Sequence, residues 1–226
     1  MIKNRVSQVV FQTIYCTLGI VACIASLGVF EQKFNADFYV YYTNLSNYIC
    51  LGVMLMSLVK TIKKAKTDTE GFVDTCPKFK FLCVIMILVT CLVYNLLLAN
   101  AHSVLDYFTS YTNLTLHLIL PIMFVLDWVL FYQHDKLKWY APLLSTIMPL
   151  CYVVFVMIRA CFVAPESEIV RYPYFFLDVD TLGIGGFFGW LCALLLVFVA
   201  LGYTIYAFDH LKTIKQKHQL KKQRQK

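Results

Sequence analysis

Long apolar stretches recur along the whole chain, and they restrict its fold more than any other feature of the sequence. Each approaches the roughly 20 residues that an α-helix needs to cross the hydrocarbon core of a bilayer. Strands would be about half as long and would alternate in polarity, so these stretches predict helices. The sequence therefore predicts an all-α membrane protein with six transmembrane helices. The predicted spans are 7–30, 38–60, 79–99, 108–132, 139–162 and 182–208.

The distribution of basic residues predicts how these helices are oriented. Of the 20 Lys and Arg residues, all but Lys33, Arg159 and Arg171 lie near the N-terminus, in 60–80, in 133–138 or in the tail 211–226. Cytoplasmic segments of membrane proteins are enriched in Lys and Arg, so both termini are predicted to be cytoplasmic. The net charge of +7 suits contact with anionic lipid. The basic tail has no aromatic stacking platform beside it, which argues against a nucleic-acid partner.

The nine cysteines are not arranged as a disulfide framework or a redox motif. None form C-x-x-C, and most fall inside the apolar spans, where cysteine behaves as a small core residue. The first apolar run resembles a secretory signal, but it continues to Phe30. We therefore interpret it as a helix of the mature protein.

Two polar segments interrupt the apolar background and echo each other. Residues 37–47 read DFYVYYTNLSN and residues 106–116 read DYFTSYTNLTL, with Asp, Tyr, Thr, Asn and Leu in the same order. The opening acids, Asp37 and Asp106, are predicted to cap the second and fourth helices. Helical spacing puts polar side chains of the second helix on one face, and such a stripe is expected to face the bundle interior. This stripe consists of Thr43, Asn47 and Cys50.

His117 is the only histidine well inside an apolar span. An ionisable side chain is costly in hydrocarbon, so it is a functional hypothesis by default. Counted from the outer helix ends, Thr43 lies about 8 Å deep and His117 about 13 Å deep, so the two can meet. A hydroxyl beside an imidazole is the nucleophile and general base of acyl transfer.

Other polar residues have predicted roles around this pair, although Thr and Asn also join membrane helices without any catalytic role. Amides can stabilise the oxyanion of acyl transfer or support the site. The predicted supporting residues are Asn44, Asn47, Asn113 and Asn95, and the alternative nucleophiles are Cys50 and Thr112.

Asp127 lies ten residues after His117, about 15 Å along the helix, which is too far for it to orient the imidazole. Lys136 or Lys138 is predicted to neutralise this acid. No metal or cofactor is expected: His102 and Asp106 at i, i+4 are better explained as a solvated loop pair. Haem held by two histidines is excluded, whereas haem held by one stays open.

Three motifs resemble the signature of a prokaryotic family of six-helix membrane proteins. The first is Y-x-T-x-L-S-N at the start of the second helix, from Tyr41 to Asn47. The second is L-H-x-x-x-P-x-x-x-x-L-D-W in the fourth helix, from Leu116 to Trp128. The third is Y-P-Y-x-F-L-D-V before the sixth helix, from Tyr172 to Val179. The resemblance implies a bacterial plasma membrane protein.

That family is in turn distantly similar to the animal androgen-induced-gene proteins, which hydrolyse fatty acid esters of hydroxy fatty acids with an intramembrane threonine and histidine. On this resemblance Thr43 matches the threonine and His117 the histidine. It implies an intramembrane lipid ester hydrolase with membrane lipids as partners. A related branch resembles lipid acyltransferases that use cysteine, which keeps Cys50 as an alternative. A lipid or small-molecule transporter, with the two echoed segments as a parallel repeat, is the non-enzymatic alternative.

Overall fold

The structure, a computed structural model, describes residues 2–30, 32–73, 75–98, 104–134, 137–164 and 166–211, with the backbone alone at 104–106. The predicted tail from 212 onward and the side chains of His102 and Asp106 lie outside the described residues. The described elements are helical, with a single isolated β-bridge between Asn4 and Glu70. The all-α prediction is confirmed.

In the described part of the chain, six helices are long and apolar enough to cross a membrane, so the chain is a multipass membrane protein. They are Arg5–Ser26, Tyr42–Ala65, Pro77–Leu98, Tyr111–Phe131, Ala141–Ala160 and Val179–Asp209. Their elements are α1 (Arg5–Ser26), α2 (Tyr42–Ala65), α3 (Pro77–Val93), α4 (Val104–Thr109), α5 (Tyr111–Leu114), α6 (Leu120–Phe131), α7 (Ala141–Leu144), α8 (Ile147–Ala160) and α9 (Val179–Asp209).

The third span lies in the middle of the bundle. Helix α3 packs against α2, α6 and α9, and its side chains Phe81, Ile85 and Ile87 are fully buried. Successive spans alternate in direction, which gives the bundle two ends. The cavity end is the one where α1 and α3 finish and α2 and α9 begin. The ionic end is the one where α1 begins and α2, α6 and α9 finish.

The bounds of α2 differ from the predicted 38–60. The helix continues to Ala65 because Lys63 and Lys64 in its last turn suit the negative end of the helix dipole. It begins at Tyr42, and its N-cap residue makes no side-chain cap bond, so the predicted cap by Asp37 is wrong. The Asp37 carboxylate instead lies 3.0 Å from the Arg159 guanidinium. The Asp106 side chain, the other predicted cap, lies outside the described residues.

Two spans contain π-helical turns at the cavity end. One, Tyr94–Leu98, follows α3, and the other, Thr115–Ile119, joins α5 to α6. A π-turn inserts one residue into the α-helical repeat and rotates the side chains that follow it, and such turns are frequent at functional sites. The two turns bring the rings of Tyr94 and His117 face to face, with centroids 3.3 Å apart and planes at 12°.

Buried charges occupy the ionic end. The Lys80 ammonium is paired with the Asp127 carboxylate, which also accepts a 3.1 Å hydrogen bond from the Gln12 amide. All three side chains are almost entirely buried. Lys80 therefore neutralises Asp127 in place of the predicted Lys138, and the other predicted partner, Lys136, lies outside the described residues. The acid turns inward toward α1 and α3 instead of out toward the loop that follows it.

Candidate active site

Thr43 and His117 line the same cavity, a space of about 290 Å³ at the cavity end. Thr43 comes from the first turn of α2, and His117 from the π-turn between α5 and α6. Both residues are buried within the bundle, at 9% and 8% exposure. Two residues that are 74 positions apart in the sequence thus line one cavity. Each belongs to one of the two echoed polar segments or directly follows it.

The His117 ring is held by one hydrogen bond and one stacked ring. Its Nδ1 lies 3.0 Å from the carbonyl oxygen of Asn113, one turn earlier. A carbonyl oxygen only accepts hydrogen bonds, so Nδ1 carries the hydrogen and donates it to this bond. The neutral ring then has its lone pair on Nε2. Tyr94 stacks on the ring and restricts its rotation. Among the described residues no group hydrogen-bonds to Nε2, which is the arrangement that a general base needs.

Thr43 is held by bonds to its backbone, and its hydroxyl lies beside a tyrosine. The carbonyl of Thr43 accepts 2.9 Å hydrogen bonds from the Ser46 hydroxyl and the Asn47 amide. The Thr43 N–H, which lies in the first turn and has no intrahelical acceptor, donates to the Tyr174 hydroxyl at 3.4 Å. This bond holds the Tyr174 phenol next to Thr43. The side chain is therefore fixed without being consumed by a structural bond to its own helix.

Asn47 connects the two sides of the site. Besides the Thr43 carbonyl, its amide nitrogen donates to the Leu116 carbonyl at 3.1 Å. This bond links α2 to the turn that carries His117. Asn95 supports the same turn from the π-turn that follows α3, because its amide donates to the His117 carbonyl at 3.2 Å. Both asparagines therefore position the pair through backbone carbonyls, and neither lines the cavity.

The other predicted residues divide between the cavity and the core. Asn44, Asn113 and Thr112 line the cavity, so they can contact a bound molecule there. Cys50 is fully buried, and its thiol donates to the Cys83 carbonyl at 3.7 Å. Cys50 is absent from the lining of the cavity. Its place in the core supplies no route for a substrate to its sulfur.

No direct hydrogen bond joins the Thr43 hydroxyl to the His117 ring within the described part of the chain. The cavity lies between them, and its 290 Å³ exceeds the roughly 30 Å³ share of a water molecule many times over. Nucleophile–base contacts are often long in unliganded enzymes and shorten when substrate binds. The two side chains thus line one space that is large enough to hold a small molecule.

Two tyrosines belong to the site although the residue pattern did not assign them to it. Tyr174 lines the cavity, and its ring stacks on Phe176 at 5.0 Å. Burial raises the pKa of the Tyr174 phenol, an effect that the hydrogen bonds from Thr43 partly offset, so the phenol stays protonated and able to donate. Tyr174 falls in the aromatic motif before the sixth helix, which was the available signal. No sequence signal pointed to Tyr94, because its contact with His117 depends on the π-turns.

A smaller, apolar cavity of about 60 Å³ adjoins the first. The two share Thr43, Tyr94, Leu98 and Tyr174 in their linings. Thr43 therefore lies at the junction between a polar chamber and an apolar one. We call them the polar cavity and the apolar cavity.

No cluster of three or more His, Cys, Asp and Glu side chains among the described residues could hold a metal ion. No family model, curated protein or solved structure matches the chain.

Proposed function

We propose that the chain is an intramembrane lipid ester hydrolase in which Thr43 is the nucleophile and His117 the general base. The observation that carries the proposal is the placement of both side chains on one cavity, with Nδ1 of the imidazole occupied by a carbonyl and Nε2 left available. The resemblance to the androgen-induced-gene proteins supports the same pair. The adjoining apolar cavity supplies surface suited to a hydrocarbon chain.

The reaction proceeds by acyl transfer to Thr43. Nε2 of His117 takes the hydroxyl proton as Oγ1 attacks the ester carbonyl, and the tetrahedral intermediate collapses when the leaving alcohol oxygen receives that proton. A water molecule then gives a proton to Nε2 and attacks the acyl-threonine. Collapse of this second intermediate releases the fatty acid and returns the proton to Thr43.

Neutral donors around Thr43 stabilise the oxyanion in this proposal. The Tyr174 phenol lies beside the Thr43 hydroxyl, and the amides of Asn44 and Asn113 line the same cavity. Preorganised donors in a site that excludes water lower the barrier more than the same donors do in solution.

Orientation and location follow from the charge pattern and the resemblance. The described basic segments near the N-terminus and in 60–80 lie toward the ionic end, so we place that end in the cytoplasm and the catalytic pair in the outer leaflet. The resemblance to a prokaryotic family supports a location in a bacterial plasma membrane. Substrate then reaches the site from the membrane, and membrane lipids are its partners.

Labelling by a fluorophosphonate probe tests the proposal directly. Purified wild type in detergent is compared with Thr43→Ala, His117→Ala and Thr112→Ala, after all are shown to elute as folded species. Thr112 is the matched control, because it is a second threonine on the same cavity. We expect wild type and Thr112→Ala to be labelled, with the adduct on the peptide that contains Thr43, and the other two variants to be unlabelled.

Two results would count against the hydrolase. One is a wild-type protein that neither labels nor cleaves any lipid ester. The other is labelling that survives both Thr43→Ala and His117→Ala. Either result would favour lipid binding or transport over hydrolysis, because the same polar cluster can bind a ligand without turnover. Labelling lost only in Thr112→Ala would instead reassign the nucleophile.

A further inference from the structure

The two cavities differ in chemistry on the two sides of Thr43. The polar cavity reaches the exposed residue Asn35 at the cavity end, whereas the apolar cavity lies between α2, α3, α8 and α9. An ester has the same two-sided character, since an acyl chain and an alcohol are joined at the carbonyl. Thr43 is common to both linings, so a carbonyl at the junction lies next to its hydroxyl.

The apolar cavity has few polar atoms to offer a ligand. The Thr90 hydroxyl is bonded to the Ser46 hydroxyl at 2.8 Å, and the Tyr152 hydroxyl donates to the Val40 carbonyl at 2.7 Å. The Tyr42 hydroxyl is buried without a partner among the described residues. Apart from Thr43, Tyr94 and Tyr174, which it shares with the polar cavity, the rest of the lining is aliphatic or aromatic. A polar group placed there would lose its hydration with little compensation, whereas a hydrocarbon chain would not.

The wall of the apolar cavity toward the bilayer is incomplete. Val153 on α8 and Leu191 and Leu194 on α9 are only half buried. The enclosed space of about 60 Å³ takes a few methylene groups, so a longer chain must continue past these side chains into the surrounding lipid. A chain can therefore enter from the bilayer without crossing water.

The described residues that line the polar cavity offer amides and hydroxyls but no fixed charge. Its described lining includes Ser26, Asn35, Asn44, Thr112 and Asn113, and contains no Lys, Arg, Asp or Glu. The Asn113 side-chain amide has no hydrogen bond to any described residue, so it is free to pair with a hydroxyl. A phosphate would find no Lys or Arg among the described lining residues, and the N–H of Thr43 at the start of α2 already donates to the Tyr174 hydroxyl. An uncharged polyol matches the amide donors and acceptors.

We propose that the substrate is an ester of one long acyl chain with an uncharged polyol, the chain lying in the apolar cavity and the polyol in the polar one. This inference rests on the proposed function and specifies its substrate class. It makes Leu194 a residue that controls passage of the acyl chain.

A binding measurement tests the inference without requiring turnover. The probe is 1-O-hexadecylglycerol, an ether that cannot be hydrolysed, and the readout is thermal stabilisation of protein in lipid nanodiscs. Leu194→Trp fills the apolar cavity, and Leu196→Trp is the matched control, because Leu196 is 69% exposed on the same helix and does not line the cavity. We expect Leu194→Trp to weaken binding about tenfold or more, since each buried methylene contributes about fourfold, and Leu196→Trp to change it little. Val153→Trp narrows the same passage from α8 and should repeat the result.

A turnover measurement tests the alcohol side. Monopalmitoylglycerol and palmityl palmitate present the same acyl chain with a polyol or an apolar alcohol, and we expect kcat/KM to favour the glycerol ester by about tenfold or more. Equal weakening of binding by Leu194→Trp and Leu196→Trp, or a preference for the apolar alcohol, would overturn the substrate class. If no ester is cleaved but binding still separates the two tryptophan variants, the hydrolase fails and the two-cavity lipid site stands.

Discussion

At the cavity end, Thr43 and His117 surround open space and carry no formal charge, whereas at the ionic end Lys80 and Asp127 are in direct contact and buried. The histidines differ in the same way. His117 has one bonded ring nitrogen, while His134 has Nδ1 2.8 Å from the Asp209 carboxylate and Nε2 3.3 Å from a carbonyl. Both ring nitrogens of His134 are thus bonded, whereas Nε2 of His117 has no partner among the described residues.

This difference separates two reasons for placing polar side chains in a membrane bundle. A buried ion pair compensates its own desolvation and holds helices in one arrangement, here α1, α3 and α6 through Gln12, Lys80 and Asp127. A cavity with unused donors and acceptors gives up that stabilisation and gains a place for a ligand. We therefore expect substitutions at the ionic end to act on stability and those at the cavity end to act on turnover.

The largest effect is expected from Asp127→Asn. It leaves the Lys80 ammonium buried without a counter-charge, which typically costs about 3–5 kcal/mol of unfolding free energy. Thr43→Ala, at the cavity end, should cost about 1 kcal/mol. Thermal unfolding followed by the loss of the monodisperse elution peak in detergent measures both.

The double variant Lys80→Met with Asp127→Leu is the control for charge. Replacing both members of a buried pair by apolar residues is often neutral, so the double variant should be more stable than Asp127→Asn alone. The contrast between the two ends is wrong if Asp127→Asn unfolds at the same temperature as wild type. It is also wrong if Thr43→Ala is less stable than Asp127→Asn.

The spans could be predicted because apolar length is a local property of the sequence, and Thr43 and His117 could be singled out because polar groups are conspicuous in hydrocarbon. Partners were harder to predict. Lys136 and Lys138 are close to Asp127 in sequence, but the acid pairs with Lys80, 47 residues away on another helix. Which face of α6 turns inward depends on packing that sequence spacing does not record.

The orientation of His117 could not be predicted for a related reason. In a regular α-helix the residue spacing fixes which side chains share a face. The π-turns Tyr94–Leu98 and Thr115–Ile119 each add one residue to this repeat and rotate the side chains that follow. Local residue preferences do not distinguish a π-turn from an α-helical turn, so the sequence did not predict the contact between Tyr94 and His117. The cap assigned to Asp37 failed because Arg159, 122 residues later, competes for the same carboxylate.

A smaller effect, confined to turnover, is expected from Tyr174→Phe. The phenol lies beside the Thr43 hydroxyl, and losing one oxyanion donor costs about 10²-fold in kcat, with little change in KM. Because burial raises the pKa of Tyr174, the wild-type rate should not fall through ionisation of this phenol between about pH 6 and 9. Steady-state hydrolysis of monopalmitoylglycerol measures both quantities.

Tyr152→Phe is the matched control at the cavity end. Tyr152 belongs to the same aromatic cluster as Tyr174, but its hydroxyl donates to the Val40 carbonyl. Its loss should lower the unfolding free energy by about 1 kcal/mol and leave kcat within about twofold. Equal losses of activity in the two variants would show that Tyr174 acts through packing.

The smallest effect is expected from Asp68→Asn, in the loop after α2 at the ionic end. The N–H of Glu70 donates to the Asp68 carboxylate at 2.9 Å and the Arg5 guanidinium lies 3.1 Å away, and these contacts lower the pKa of Asp68 below its ordinary 3.8. A carboxyl whose pKa is lowered by folding adds stability above pH 3.8, and that stability is lost as the pH falls through the lowered value. Wild type should therefore melt at a slightly higher temperature than Asp68→Asn at neutral pH, and the two melting temperatures should converge in acid.

Because Asp68 is exposed, added salt should also reduce this difference in melting temperature, whereas the difference produced by Asp127→Asn should persist in salt. A salt-resistant effect at Asp68 would mean that its short-range contacts with Glu70 and Arg5, and not screened surface charge, carry its contribution.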